Sequence, residues 1–139
     1  MRLKSIEIRK ILMDEWKKRG VRNTDQFAVL TDDITFAWAG MKTKQYKDHK
    51  SLKKENLRDN MTNLELVLNM LAETSTTEIS EAKKPETFDQ NRHVARQGGR
   101  VAAKARKEIE LRTGKNVITR DNHLTQLQNK KLKLVDQGT

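Results

Sequence analysis

Cysteine is absent from the 139-residue chain, which excludes disulfides, thiol nucleophiles and cysteine-ligated zinc. Aromatic residues are scarce. Trp16, Phe27, Phe36, Trp38, Tyr46 and Phe88 are the whole set, so a large aromatic core is excluded and Leu, Ile, Val, Met and Ala must supply the interior. That interior suits packed helices or a dimer seam better than a sandwich. No apolar run approaches the roughly 18 residues of a membrane span, and no signal-peptide pattern follows Met1. With nothing requiring export, the expected compartment is the cytoplasm. Strand signals are equally thin: no Asn-Gly or Asp-Gly turn separates alternating segments, and no internal repeat is present.

What the chain has in abundance is charge. Lys and Arg total 29 against 19 Asp and Glu, a net +10 with a pI near 9.9, enough to attract polyanions by long-range steering. The charge is also sorted. Residues 42–58 hold seven basic groups and two acids, residues 59–91 two basic groups and seven acids, and residues 92–116 eight basic groups and two acids. Such a basic, acidic, basic order fits a protein that meets an anionic partner while its basic segments also dock on its own acidic one. The alternative is a set of ordinary solvated helix faces.

Helical patterning runs through most of the sequence. Ile8, Ile11, Leu12 and Trp16 recur at helical spacing and Gly20 follows as a stop, predicting a helix over 3–19. Thr31, followed by Asp32 and Asp33, reads as an N-cap with first-turn acids, opening a helix that carries Ile34, Ala37 and Trp38 to Gly40. Residues 43–58 read as one broken helix or two short ones, with Ser51 as the new cap. Thr62 and Glu65 fit a capping box. In the helix they open, Leu64, Val67, Leu68, Leu71 and Ile79 share one face and Leu66 and Met70 the opposite one. A helix apolar on two faces is central or lies between subunits, and this one is expected to be the core. Pro85 breaks the pattern, Thr87 and Gln90 supply a second capping box, and the last helix should run to about residue 112 and stop at Gly114. The expected fold is all-α: a compact bundle of about five helices over residues 1–116, with residues 117–139 as an accessory or loosely ordered tail.

The final helix is the most informative stretch. At helical pitch Val94, Gly98, Val101, Ala105 and Ile109 lie on one side, and Arg92, Arg96, Arg100, Lys104 and Lys107 on the other. The second set forms a rail suited to a phosphate backbone, since the arginine fork bonds phosphate bidentately. Gly98 and Gly99 each cost about 1 kcal/mol of helix stability against Ala, so close approach of another backbone, or a kink, should compensate. The candidate nucleic-acid-binding set is Lys50, Lys53, Lys54, Arg58, Arg92, Arg96, Arg100, Lys104 and Lys107. The alternative is a surface helix tucked against the acidic 59–91 segment. No aromatic residue lies between Phe88 and the C-terminus, so base stacking from this region is not expected and phosphate contact should dominate.

Enzyme chemistry finds no foothold. His49, His93 and His123 lack metal-ligand spacing. Asp32 and Asp33 are explained as first-turn acids. The hydroxyl run Thr74-Ser75-Thr76-Thr77 has no histidine nearby in sequence to serve as a base, and Gly98-Gly99 lacks the Gly-Lys-Ser/Thr ending of a phosphate loop. No catalytic residue, metal or cofactor is expected.

Several blocks together resemble a known family. They are Trp16-Lys17-Lys18-Arg19-Gly20-Val21, Phe27-Ala28-Val29-Leu30-Thr31-Asp32, Tyr46-Lys47 and the run from Leu52 through Lys53, Lys54, Glu55, Asn56, Leu57, Arg58, Asp59, Asn60 and Met61 to Thr62. Leu71-Ala72-Glu73, Ala95-Arg96, Gly98-Gly99, Val101-Ala102, Ala105-Arg106 and Thr113-Gly114-Lys115 continue the match. Over roughly residues 5–120 the chain resembles the DNA-damage-inducible protein D and prophage antirepressor (Bro-associated) family, and the short prophage-type members more than the enterobacterial ones. Longer members carry a Bro-like N-terminal region. This sequence starts at Met1 without it, so no activity of that region carries over. The resemblance implies a non-enzymatic regulator of the DNA-damage response or of a prophage, associating with DNA or a DNA-bound recombinase filament. The other expectation is a protein-interaction module, such as an antirepressor or an inhibitor of a host defence factor, that touches no nucleic acid. Homodimerisation is expected, because a short chain with few large apolar residues gains by sharing core between copies.

Overall fold

A computed structural model describes residues 1–122, and over that span the chain is helical, with no strand among the described residues. The elements are α1 (Arg2–Lys18), α2 (Thr24–Ala39), α3 (Thr43–His49), α4 (Leu57–Asn60), α5 (Asn63–Lys83) and α6 (Phe88–Thr113). Both capping boxes form: Thr62 Oγ1 accepts from the Glu65 N–H at 3.3 Å and Thr87 Oγ1 from the Gln90 N–H at 3.1 Å. Gly40 and Gly114 end α2 and α6 in the left-handed region, where a residue without a Cβ carries no steric penalty.

Two local expectations fail for physical reasons. α2 begins well before Thr31, because Asn23 supplies the cap by accepting from the Gln26 N–H at 2.8 Å. Thr31 is therefore mid-helix, and its hydroxyl bonds back to the Phe27 carbonyl at 2.8 Å. Asp32 and Asp33 become side chains of a helix flank rather than first-turn acids. Ser51 caps nothing. It sits at φ +59° just past α3, and α4 is opened by Asn56, which accepts from the Asp59 N–H at 3.2 Å.

α5 is the central helix. α1 lies along it in the same direction, with Arg9 against Glu73 and Glu15 against Ser80. α6 runs antiparallel to α5 and parallel to α2. Of the expected leucine face of α5, however, only Leu68 is buried. Leu64, Val67 and Leu71 are exposed, while Glu65, Asn69, Glu73, Thr76 and Ser80 are buried together with Leu66, Leu68 and Ala72. Every acid in that stripe is paired. Glu73 takes Arg58 at 2.7 and 2.6 Å and Arg9 at 3.4 Å, and Glu15, bonded by Arg19 at 2.7 Å, accepts from Ser80 at 2.6 Å. Asn69 accepts from the Trp38 indole at 3.3 Å. Hydrophobic periodicity cannot register such a face, because its burial depends on cations supplied from elsewhere in the chain.

The glycine pair explains where α6 sits. A Cβ on Gly98 would lie 2.7 Å from the Thr76 Cα, and one on Gly99 would lie 2.7 Å from the Ile34 carbonyl oxygen. α6 is thus clasped by α5 on one side and α2 on the other, which is the close approach expected of these two residues. The buried side of α6 is Val94, Ala95, Gly98, Gly99 and Ala102, whereas Val101 is exposed, a modest rotation from the expected inner face.

The segment expected to be tail from residue 117 starts inside the domain. Val117 and Ile118 are buried in the common core, and the Val117 N–H donates to Glu110 at 3.0 Å. Burial opposes ionisation of Glu110, yet this bond and the Arg106 guanidinium hold its carboxyl below the usual range. Residues 123–139 of the expected tail, His123 among them, lie outside the described residues.

Gly98→Ala should lower the thermal midpoint, because overpacking against the Thr76 backbone, about 1–3 kcal/mol, outweighs the roughly 1 kcal/mol that Ala gains over Gly in a helix. A melt followed by circular dichroism checks this, and a raised midpoint would contradict the clasp.

Candidate nucleic-acid interface

The structure divides the nine expected binding residues into two groups. Lys50 is fully inside. Its ammonium donates to Glu65 Oε1 at 2.6 Å, to the Thr119 carbonyl at 3.0 Å and to the Asp121 carbonyl, with both side chains of the ion pair entirely buried. Tyr46 completes the cluster by donating its hydroxyl to Glu65 Oε2. Burial, reinforced by the Glu65 carboxylate, pushes that hydroxyl far above its ordinary range and keeps it a donor. Lys50 cannot reach a phosphate in this fold. Arg58 is committed as well: it grips Glu73 with both terminal nitrogens and donates to Ser5 Oγ at 2.8 Å. The first basic segment therefore docks on the acidic one, as the charge order suggested, and these two residues leave the interface.

Lys53 and Lys54 are exposed between α3 and α4. Lys53 borders a recess shared with Arg9, Lys44 and Lys47, and with Asp32. Arg9 is the deepest cation there. Burial lowers its pKa from the ordinary arginine value, against the pull of Glu73, and it donates to Thr31 Oγ1 at 2.6 Å.

The α6 residues remain outside. Arg92 bonds Asp33 at 2.9 and 3.2 Å, which raises its pKa, and Arg96 stands 3.8 Å from the same carboxylate. α6 is thus tied to α2 through Asp33 and not to the acidic 59–91 segment through its arginines. Arg100, Lys104 and Lys107 are exposed and have no ion-pair partner among the described residues. Arg96 to Lys107 spans about 16 Å of helix axis at 1.5 Å per residue.

Between α2 and α6 lies a concavity of about 430 Å³ lined by Asp32, Asp33, Phe36, Ala37, Lys42, Arg92, Arg96 and Arg100. Lys42 and Phe36 belong to it and were not among the expected residues. Lys42 stood in the charge tally of the first basic segment, but only the packing of α2 on α6 puts it beside the arginines. Among the described residues no cluster of three or more metal-ligating side chains occurs, and no helix is long and apolar enough to cross a membrane.

A family model described as the DinD C-terminal domain matches residues 1–127 of the 139. The chain belongs to the DinD C-terminal domain family. The resemblance read from the sequence blocks is thereby established, and it places the chain in a DNA-damage-inducible protein family. No curated protein and no solved structure matches it. Within this family member, the Leu52–Thr62 block that carried much of the resemblance has an architectural role: Leu57 and Met61 are buried, Arg58 bonds Glu73 in the middle of α5, Arg2 of α1 donates to the Arg58 and Met61 carbonyls, and Thr62 caps α5.

The two groups of basic residues should separate in unfolding experiments. Lys50→Met leaves Glu65 buried without its cation and should cost about 3–5 kcal/mol in urea denaturation, whereas Arg100→Gln with Lys104→Gln should stay within about 0.5 kcal/mol of wild type. Equal destabilisation would mean the α6 cations are structural.

Proposed function

We propose that this DinD-family domain is a non-enzymatic regulator of the DNA-damage response or of a prophage, associating with DNA or with a DNA-bound protein filament through the outer face of α6. The observation that carries this reading is the row Arg96, Arg100, Lys104 and Lys107 on one exposed helix face, three of them without an ion-pair partner among the described residues. Lysines and arginines presented along a rigid helix neutralise successive phosphates, release counterions and bind without reading bases. Asp33 holds Arg92 in place at one end of the row, which reduces the ordering cost on binding. Lys53 lines a second recess, with Lys44 and Lys47, that meets the first at Asp32, and the exposed Lys54 follows it in the chain.

A second reading rests on a different observation. Leu64, Val67 and Leu71 stand exposed along the outer face of α5, and apolar surface of this kind favours a protein partner. A second copy of the chain or a regulatory protein of host or phage would cover it, without nucleic acid.

Fluorescence anisotropy with labelled oligonucleotides should show binding at about 50 mM salt that weakens steeply towards 200 mM. Charge reversal at Arg100 and Lys104 should weaken it and shrink the salt slope by about one for each phosphate no longer neutralised. Absence of binding at the lower salt would remove the first reading. Light scattering addresses the self-pairing form of the second: a mass of twice 16.2 kDa that falls to the monomer value in Leu71→Lys supports pairing through α5, and a monomer at every concentration refutes that pairing and leaves only a different protein as the partner.

A further inference from the structure

Phe36 is the one aromatic side chain of the described residues that lies largely in solvent, at 55% exposure. A solitary exposed apolar residue is ordinary on a protein surface. Phe36 is not solitary, because the concavity that holds its ring is also walled by Lys42, Arg92, Arg96 and Arg100. The two carboxylates of that recess, Asp32 and Asp33, are both engaged. Asp32 accepts from the Thr43 N–H at 3.1 Å, and Asp33 is held by Arg92 with Arg96 beside it. Arg100 and Lys42 have no ion-pair partner among the described residues, so the recess carries four cations against two carboxylates. A planar apolar ring among guanidinium and ammonium groups meets both requirements of an unpaired nucleotide, a stacking surface for the base and charge for the phosphates.

We infer that the α2–α6 recess is a single-strand subsite in which an unpaired base stacks on Phe36 while Arg96, Arg100 and Lys42 hold the flanking phosphates. This inference rests on the reading that the α6 face meets nucleic acid, and it narrows the substrate to a strand with free bases. In a duplex both faces of each base are already stacked, so the ring in its recess gains nothing from it, whereas phosphates of either form reach the outer row of α6. The aromatic element that the sequence of α6 lacks is supplied by α2, one helix away. Single-stranded nucleic acid is thereby preferred, and the preference resides in Phe36 rather than in the cations.

The test is anisotropy at about 50 mM salt with oligo-dT, oligo-rU and a duplex of equal length, on wild type, Phe36→Ala, Phe36→Leu, Phe36→Trp and Arg100→Glu. The inference expects tighter binding of at least one single strand than of the duplex, with the ratio of the two polymers identifying the sugar. Phe36→Ala and Phe36→Leu should weaken single-strand binding about 5- to 150-fold, leaving duplex binding and the melting curve unchanged. Phe36→Trp should restore single-strand binding, with its indole fluorescence quenched by the stacked base, while Arg100→Glu weakens every probe. Equal affinity for single strand and duplex, unaltered at Phe36 and lowered by Arg100→Glu, overturns the subsite and leaves the α6 reading standing. Absence of binding to any probe overturns both.

Discussion

The approach of three backbones at Gly98 and Gly99 is the constraint on which the surface of this domain depends. These neighbours point about 100° apart on the helix, so one addresses α5 at Thr76 and the other addresses α2 at Ile34 and Ala37. A side chain at either position would lift α6 away from one neighbour. Seated as it is, α6 packs inward mainly through small residues, and its opposite side is free to consist of cations. The same seating brings Asp33 to Arg92 and Phe36 to the arginine row. A glycine pair costly to a solitary helix thus sets the spacing of a composite surface to which two helices contribute.

Beneath that surface, the interior is organised by charge as much as by apolar packing. Glu65 and Glu73 lie about two turns apart on the buried side of α5, each surrounded by its own cations, Lys50 for one and Arg58 with Arg9 for the other. Buried pairs of this kind contribute little net stability relative to well-packed apolar residues, but they are costly to break. Their effect is to fix which elements meet α5 and at which turn: α3 and the 117–121 segment at Glu65, α1 and α4 at Glu73. A basic composition therefore has two separate destinations here. The cations of 42–58 are partly consumed in building the fold, whereas Arg96, Arg100, Lys104 and Lys107 of α6 are left outside.

Local signals in the sequence carried over well where they depend on neighbours a few residues apart. The boxes at Thr62 and Thr87 and the stops at Gly20, Gly40 and Gly114 form as such short-range chemistry requires. The start of α2 was misplaced because two capping signals compete, and Asn23 acts before Thr31 can. What depends on distant partners was not legible. Lys50 and Lys53 look alike in sequence, yet one meets Glu65 and two carbonyls while the other faces water. Leu64, Val67 and Leu71 of α5 point to an exposed face, because a stripe of Glu, Asn, Thr and Ser reads as polar until the arginines of α1 and α4 are brought against it. Phe36 gave no signal of its own, since its meaning comes from arginines far along the chain.

The bonds from the Lys50 ammonium to the carbonyls of Thr119 and Asp121 impose an order on assembly. Synthesis delivers Glu65 and Lys50 early, but the acceptors that complete the ammonium's coordination leave the ribosome only after the six described helices have been made. The last described residues act as a latch on a core formed from much earlier ones, so the domain reaches its closed state as a whole chain rather than growing stable turn by turn.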